Sequence, residues 1–124
     1  MMRNMETGMN TYTNVHEFTG RAAEKPQVHY FTGGSYVTKF SVAVKPPYPS
    51  EEPIWCNCEA WGKLADTAAN FLTKGRLIAV TAELRLDEWQ DKITGKPRQK
   101  SVYVVKKLTL LSKQEKEVEQ VPAA

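Results

Sequence analysis

Residues 54–75, IWCNCEAWGKLADTAANFLTKG, change period halfway along. From Ile54 to Trp61 the positions alternate, with Ile54, Cys56, Cys58 and Ala60 on one side and Trp55, Asn57, Glu59 and Trp61 on the other. Successive side chains of a strand point to opposite faces, so this is a strand with two unlike faces. From residue 62 onward Leu64, Ala68, Phe71 and Leu72 recur at helical spacing, and Gly75 stands where a helix C-cap belongs. The stretch predicts a strand over 54–61 that runs directly into a helix over 62–74.

Outward from there, period two returns on both sides. Residues 76–89 place Ile78, Val80, Ala82, Leu84 and Leu86 on one face. A turn at Ile93-Thr94-Gly95-Lys96-Pro97 leads to a β-branched final strand over 100–111. Before residue 54, the segment 45–53 (KPPYPSEEP) holds four prolines in nine residues, which removes ladder donors and makes it a loop. Residues 35–44 alternate, with Phe40, Val42 and Val44 opposite Lys39, Ser41 and Lys45. A first strand over 13–22 closes on Glu24-Lys25-Pro26, and Gly33-Gly34 marks a second turn. Three strands, one helix between the third and fourth strands, then two strands is the chain order of an OB-fold, a five-stranded, partly open Greek-key barrel. Residues 13–111 form this one domain, between a loose leader at 1–12 and a short charged tail at 112–124.

Composition narrows the function by exclusion. A chain of 124 residues, 41% hydrophobic and 25% charged, has the balance of one globular domain. The net charge of +3 names no partner, but residues 92–107 carry Lys92, Lys96, Arg98, Lys100, Lys106 and Lys107 with no acid, which suits a polyanion. Cys56 and Cys58 lie two apart on one strand face, point the same way and so do not form a disulfide framework; with only His16 and His29 to add, they read as small core residues, and neither metal nor cofactor is expected. The start, MMRNMETGMN, has no apolar run for a signal peptide or membrane span, which points to a cytoplasmic, reducing location. Gly33-Gly34 lacks the Gly-Lys-Ser/Thr of a phosphate loop, and no serine, histidine and carboxylate arrangement is visible, so no catalysis is expected.

The polar face is where function is expected. Trp55 and Trp61 share it on one strand, and Trp89 falls on the corresponding face of 76–89 with Glu83, Arg85 and Asp87. Large apolar groups shown to water mark an interaction surface. Three of them beside Lys39, Lys45 and Arg85 suit nucleic-acid bases, which stack on aromatic rings whatever their identity.

These residues also resemble a known family. The run Trp55-Cys56-Asn57-Cys58-Glu59-Ala60-Trp61-Gly62-Lys63-Leu64-Ala65-Asp66 is similar to the Trp-His-Arg-x-x-x-Phe-Gly-Lys-Leu-Ala-Glu signature of bacterial single-stranded DNA-binding proteins. Trp89-Gln90-Asp91-Lys92 with Gly95 resembles that family's Trp-x-Asp-x-x-Gly hairpin, and Pro26-Gln27-Val28-His29-Tyr30 its Pro-x-Val-Arg-Tyr run. The resemblance implies an OB-fold homotetramer that coats single-stranded DNA in replication, recombination and repair, associated with the nucleoid. It implies base stacking by Trp55, Trp61 and Trp89, with Tyr48 near the family's remaining stacking tryptophan. From the basic residues of this sequence itself, phosphate contacts are expected at Lys39, Lys45, Lys63, Arg85, Lys96 and Arg98. A primosomal accessory or RNA-binding OB-fold protein is the rival class. Asp87 and Glu88 replace the family's usual basic residues before the hairpin tryptophan, and Asn57 and His29 replace arginines, so phosphate attraction is expected to be weaker. By strict alternation only Asp87 shares the face of Trp89. The ending Glu119-Gln120-Val121-Pro122-Ala123-Ala124 lacks the family's acidic, phenylalanine-terminated tail, so recruitment of repair enzymes by that route is not expected.

Overall fold

A computed structural model describes residues 12–111. The expected leader, apart from Tyr12, and the expected tail lie outside the described residues. Strands β1 (His16–Ala22), β2 (Gln27–Tyr30), β3 (Tyr36–Val44) and β4 (Ile54–Trp61) precede the helix α1 (Lys63–Phe71). β5 (Leu77–Gln90) and β6 (Pro97–Leu110) follow it. The strands run in the order β1-β5-β6-β4-β3, and β1 also pairs with β3, so these five close into a ring. Their pairings are antiparallel except β4 with β6, which meet in parallel at Cys58↔Tyr103 and Glu59↔Val104. This is the expected all-β barrel with one helix.

The helix lies between the fourth and fifth strands in chain order, because a short extra strand enters the count. β2 hangs outside the ring on β3, from Gln27↔Lys39 to Tyr30↔Tyr36. Its hairpin closes where Phe31 N–H donates to the Ser35 carbonyl at 2.9 Å, across Gly33 and Gly34, both at positive φ. The first strand begins at His16, later than the periodicity suggested, and the last begins at Pro97, earlier.

Gly75 does not cap the helix. The helix stops at Phe71, and Leu72 turns to extended backbone, which buries its side chain in the core. Gly75, at φ 87°, serves the turn into β5, and its N–H donates to the Ala22 carbonyl at 2.8 Å. Tying the end of β1 to this turn fixes where β5 starts.

The core is the inner face that alternation marked out. Phe40, Val42, Cys56, Cys58, Ala60, Ile78, Val80 and Ala82 meet Ala68 and Leu72 of the helix and Val105 of β6. Both cysteines are unpaired, and burial pushes their thiols up, so they stay neutral and act as small apolar residues. Two residues expected on this face are exposed instead, Ile54 and Leu86. β1 pairs with β5 only as far as His16↔Ala82, Asn14 bonds the backbone of Leu84, and beyond that β6 is the one strand paired with β5. The inner face of Leu86 therefore has no layer against it. The hairpin of β5 and β6 projects past the barrel as a two-stranded arm.

One close crossing sets the barrel's shape. β1 pairs with β5 from His16 to Arg21, then with β3 at Arg21↔Ala43 and Ala22↔Val42. At the crossing sits Gly20, where a Cβ would run into the carbonyl oxygen of Ala43 and come within 2.9 Å of Val42 Cγ1. Only a residue without a side chain fits there.

Candidate nucleic-acid interface

The outer faces of β3, β4, β6 and the arm of β5 form one continuous surface. Register places Val37, Lys39, Ser41 and Ala43 opposite Trp61, Glu59, Asn57 and Trp55. Across the ring, Arg85, Asp87 and Trp89 stand opposite Val102, Lys100 and Arg98. The pairing from Ala82↔Val105 to Gln90↔Pro97 runs without interruption, so Asp87 shares the face of Trp89 and Glu88 does not. Trp55, Trp61 and Trp89 are 55%, 42% and 47% exposed. A groove of about 430 Å³ runs over the surface, bordered by Lys25, Lys39, Trp55, Asn57, Glu59 and Lys100.

Trp61 does not stand alone. Phe31, at the turn after β2, lies nearly parallel to it, with ring centroids 5.8 Å apart and planes 11° apart. Tyr30 and Tyr36, partners across β2 and β3, have ring centroids 5.4 Å apart. Phe31 was not singled out from sequence, although Tyr30, Phe31 and Tyr36 around the Gly33-Gly34 turn are the kind of aromatic cluster that could have raised it. Lys25, which the sequence marks only as part of a turn, and Lys100, one member of the basic stretch, also border the groove.

The charges are arranged less simply than the sequence suggested. Glu59, on the polar side of the alternation, is only 7% exposed. Its two carboxylate oxygens accept from Arg85 Nη1 and Nη2, each at 3.0 Å, and Lys39 Nζ lies 3.9 Å away. Arg85 also donates to Asp87, from Nε at 2.7 Å and Nη2 at 3.0 Å. Those bonds hold the Asp87 carboxyl below the usual range, and with Glu59's they keep the guanidinium firmly protonated. Arg98 is occupied as well, donating to Asp91 at 2.9 Å. Asp91 accepts from the N–H groups of Thr94 and Ile93, which lower its pKa and close the turn of the arm. Both arginines named as phosphate contacts are thus already paired.

The other selected residues sit toward the rim. Lys45 ends the β3 side of the proline loop and Tyr48 lies exposed within it. Lys63 is the first residue of α1, after Gly62 at φ 64°, and Lys96 is on the turn of the arm. Lys45, Lys63 and Lys96 are exposed and make no ion pair with another described residue. Among the described residues no group of three or more histidine, cysteine, aspartate or glutamate side chains could hold a metal ion, and no helix is long and apolar enough to cross a membrane.

A closed five-strand ring with one helix and an outward face of exposed tryptophans defines an aromatic-faced OB-fold. The chain belongs to the single-strand binding protein family, whose model matches residues 13–111. It is 38% identical over 106 residues to single-stranded DNA-binding protein 2 of Nostoc sp., covering 86% of this chain and 84% of that one. It is 40% identical over 100 residues to single-stranded DNA-binding protein 1 of Synechocystis sp., covering 79% and 83%. Among solved structures, the Plasmodium falciparum SSB complex with ssDNA shares the fold, with a TM-score of 0.70 over 82% of this chain and 97% of that one, at 21% identity.

Proposed function

We infer that this chain binds single-stranded DNA with little regard to sequence, coats and protects it during replication, recombination and repair, and catalyses no reaction. The observation that carries the reading is the row of three half-exposed tryptophans on one sheet face. Stacking supplies affinity without sequence readout, since every base offers a flat face. Rim cations supply the phosphate term: Lys25, Lys39 and Lys100 on the groove, with Lys45, Lys63 and Lys96 further out. Tyr48, exposed in the proline loop, adds a further ring. Family membership supports a homotetramer, and the working place is the cytoplasm, at the nucleoid.

Titration with oligo-dT tests this reading. Trp55, Trp61 and Trp89 are the chain's only tryptophans, so stacking is expected to quench most of the intrinsic fluorescence, and a duplex of equal length is expected to quench far less. Equal or tighter binding of oligo-U would favour an RNA-binding role instead. Light scattering of the free protein should give four times the chain mass, and a dimer would count against the tetramer.

A further inference from the structure

Arg85 uses its donors unusually fully. A guanidinium carries five N–H donors, and Arg85 directs four of them at carboxylates, two at Glu59 and two at Asp87. Fork-to-fork pairs of this kind place the carboxylate in the guanidinium plane. Glu59 lies on β4, beyond the intervening β6, whereas Asp87 lies two residues along β5. Bonds to both partners stretch the guanidinium across β6, toward β4.

Val102 marks where that plane lies. It stands opposite Arg85 in the register, on the outward side of β6, and takes no part in the core cluster. Nevertheless it is only 2% exposed. It lines the same groove as Glu59, and a guanidinium stretched across β6 would cover it there. The Arg85 side chain itself remains 42% exposed. Four of the donors along its edges, where a phosphate would be gripped, are taken up, while much of the side chain stays open to solvent.

We propose that Arg85 is a base-stacking platform, held flat by Glu59 and Asp87, and not a phosphate ligand. A guanidinium plane stacks on bases much as an aromatic ring does, and it is weakly hydrated, so covering it with a base costs little. The platform fills the space between the tryptophans of β4 and Trp89 on the arm, and makes a fourth flat surface on the face. Glu59 and Asp87 are positioning residues that fix its orientation. The carboxylates of Glu59 and Asp87 offset the charge of Arg85, so Arg85 itself adds little to the salt dependence.

The proposal rests on the single-stranded DNA reading, and the test separates the two. The parent protein and Arg85→Lys are titrated, over a series of salt concentrations, with oligo-dT and with an abasic oligonucleotide of equal length that carries the same phosphates. Lysine keeps the charge and a partner for Glu59 but has no plane. Arg85→Lys should weaken oligo-dT binding by about 5- to 100-fold and leave abasic binding and the salt slope unchanged. The double variant R85Q/E59Q leaves no buried carboxylate unpartnered and carries the same expectation should the lysine variant not fold. Oligo-dT binding equal to the parent's in Arg85→Lys overturns the platform. So does an equal loss on both oligonucleotides with a log–log salt slope about 0.7 shallower in R85Q/E59Q, the mark of one lost phosphate contact. A parent that does not bind oligo-dT defeats the functional reading and the platform together.

Discussion

Replacing Trp55 and Trp89 together by alanine is expected to weaken oligo-dT binding by about 2–6 kcal/mol while the fold persists. Each ring is half exposed and stands outside the core cluster, so truncation removes mainly surface. The two lie on different strands, Trp55 on β4 beside Ala43 and Trp89 on the projecting arm opposite Arg98, and share no hydrogen-bonded partner. Losses at separate sites add, so the double variant should lose about the sum of the single ones, each about 1–3 kcal/mol. Equilibrium titrations of the two single variants and the double, each shown by circular dichroism to be folded, check this. A double variant that binds like the parent would mean the bases lie elsewhere.

The second large effect is on stability. Gly20→Ala should cost about 3 kcal/mol and lower Tm by roughly 10–20 °C. The added methyl meets the backbone carbonyl of Ala43, which cannot swing aside as a side chain would, and Val42 Cγ1 at 2.9 Å closes the other direction. Relief would require parting β1 from β3 where the ring closes, at Arg21↔Ala43 and Ala22↔Val42. Thr19→Ala, one residue away on the exposed side, should stay within about 0.5 kcal/mol of the parent and serves as the control. Thermal unfolding of both variants decides it. A Gly20→Ala protein as stable as the parent would show that the strands do not cross so closely.

What could be read in the sequence was whatever local period controls. Alternation over 54–61 separated Cys56, Cys58 and Ala60 from Trp55 and Trp61, and the structure keeps that separation because β4 is paired on both sides and one face is covered from Cys56 to Ala60. Alternation also put Asp87 and not Glu88 beside Trp89, which holds because no bulge interrupts the arm. The misses share a different cause, since each depends on a partner distant in sequence. β2 is four residues long and mostly exposed, so no hydrophobic pattern announces it, and pairing with β3 alone makes it a strand. Leu86 keeps its alternation but loses its cover where β1 ends. Glu59 reads as a solvated acid until Arg85 reaches it from two strands away, and that contact also reverses the simplest reading of Arg85 as a cation free for phosphate. Gly75 carries the helix-stop signal, yet burial of Leu72 ends the helix earlier.

The central claim is that single-stranded DNA lies across the outer face of β3, β4 and the arm, with bases on its tryptophans. The three indole N–H resonances of this chain report on it directly, since each belongs to one of those rings. On adding oligo-dT, all three should shift together with the amides of Lys39, Asn57 and Lys100, while the amides of Thr19, Ala79 and Thr109, on the separate outer face of β1, β5 and β6, stay in place. Binding that moves the second set and leaves the indoles unmoved would contradict the account.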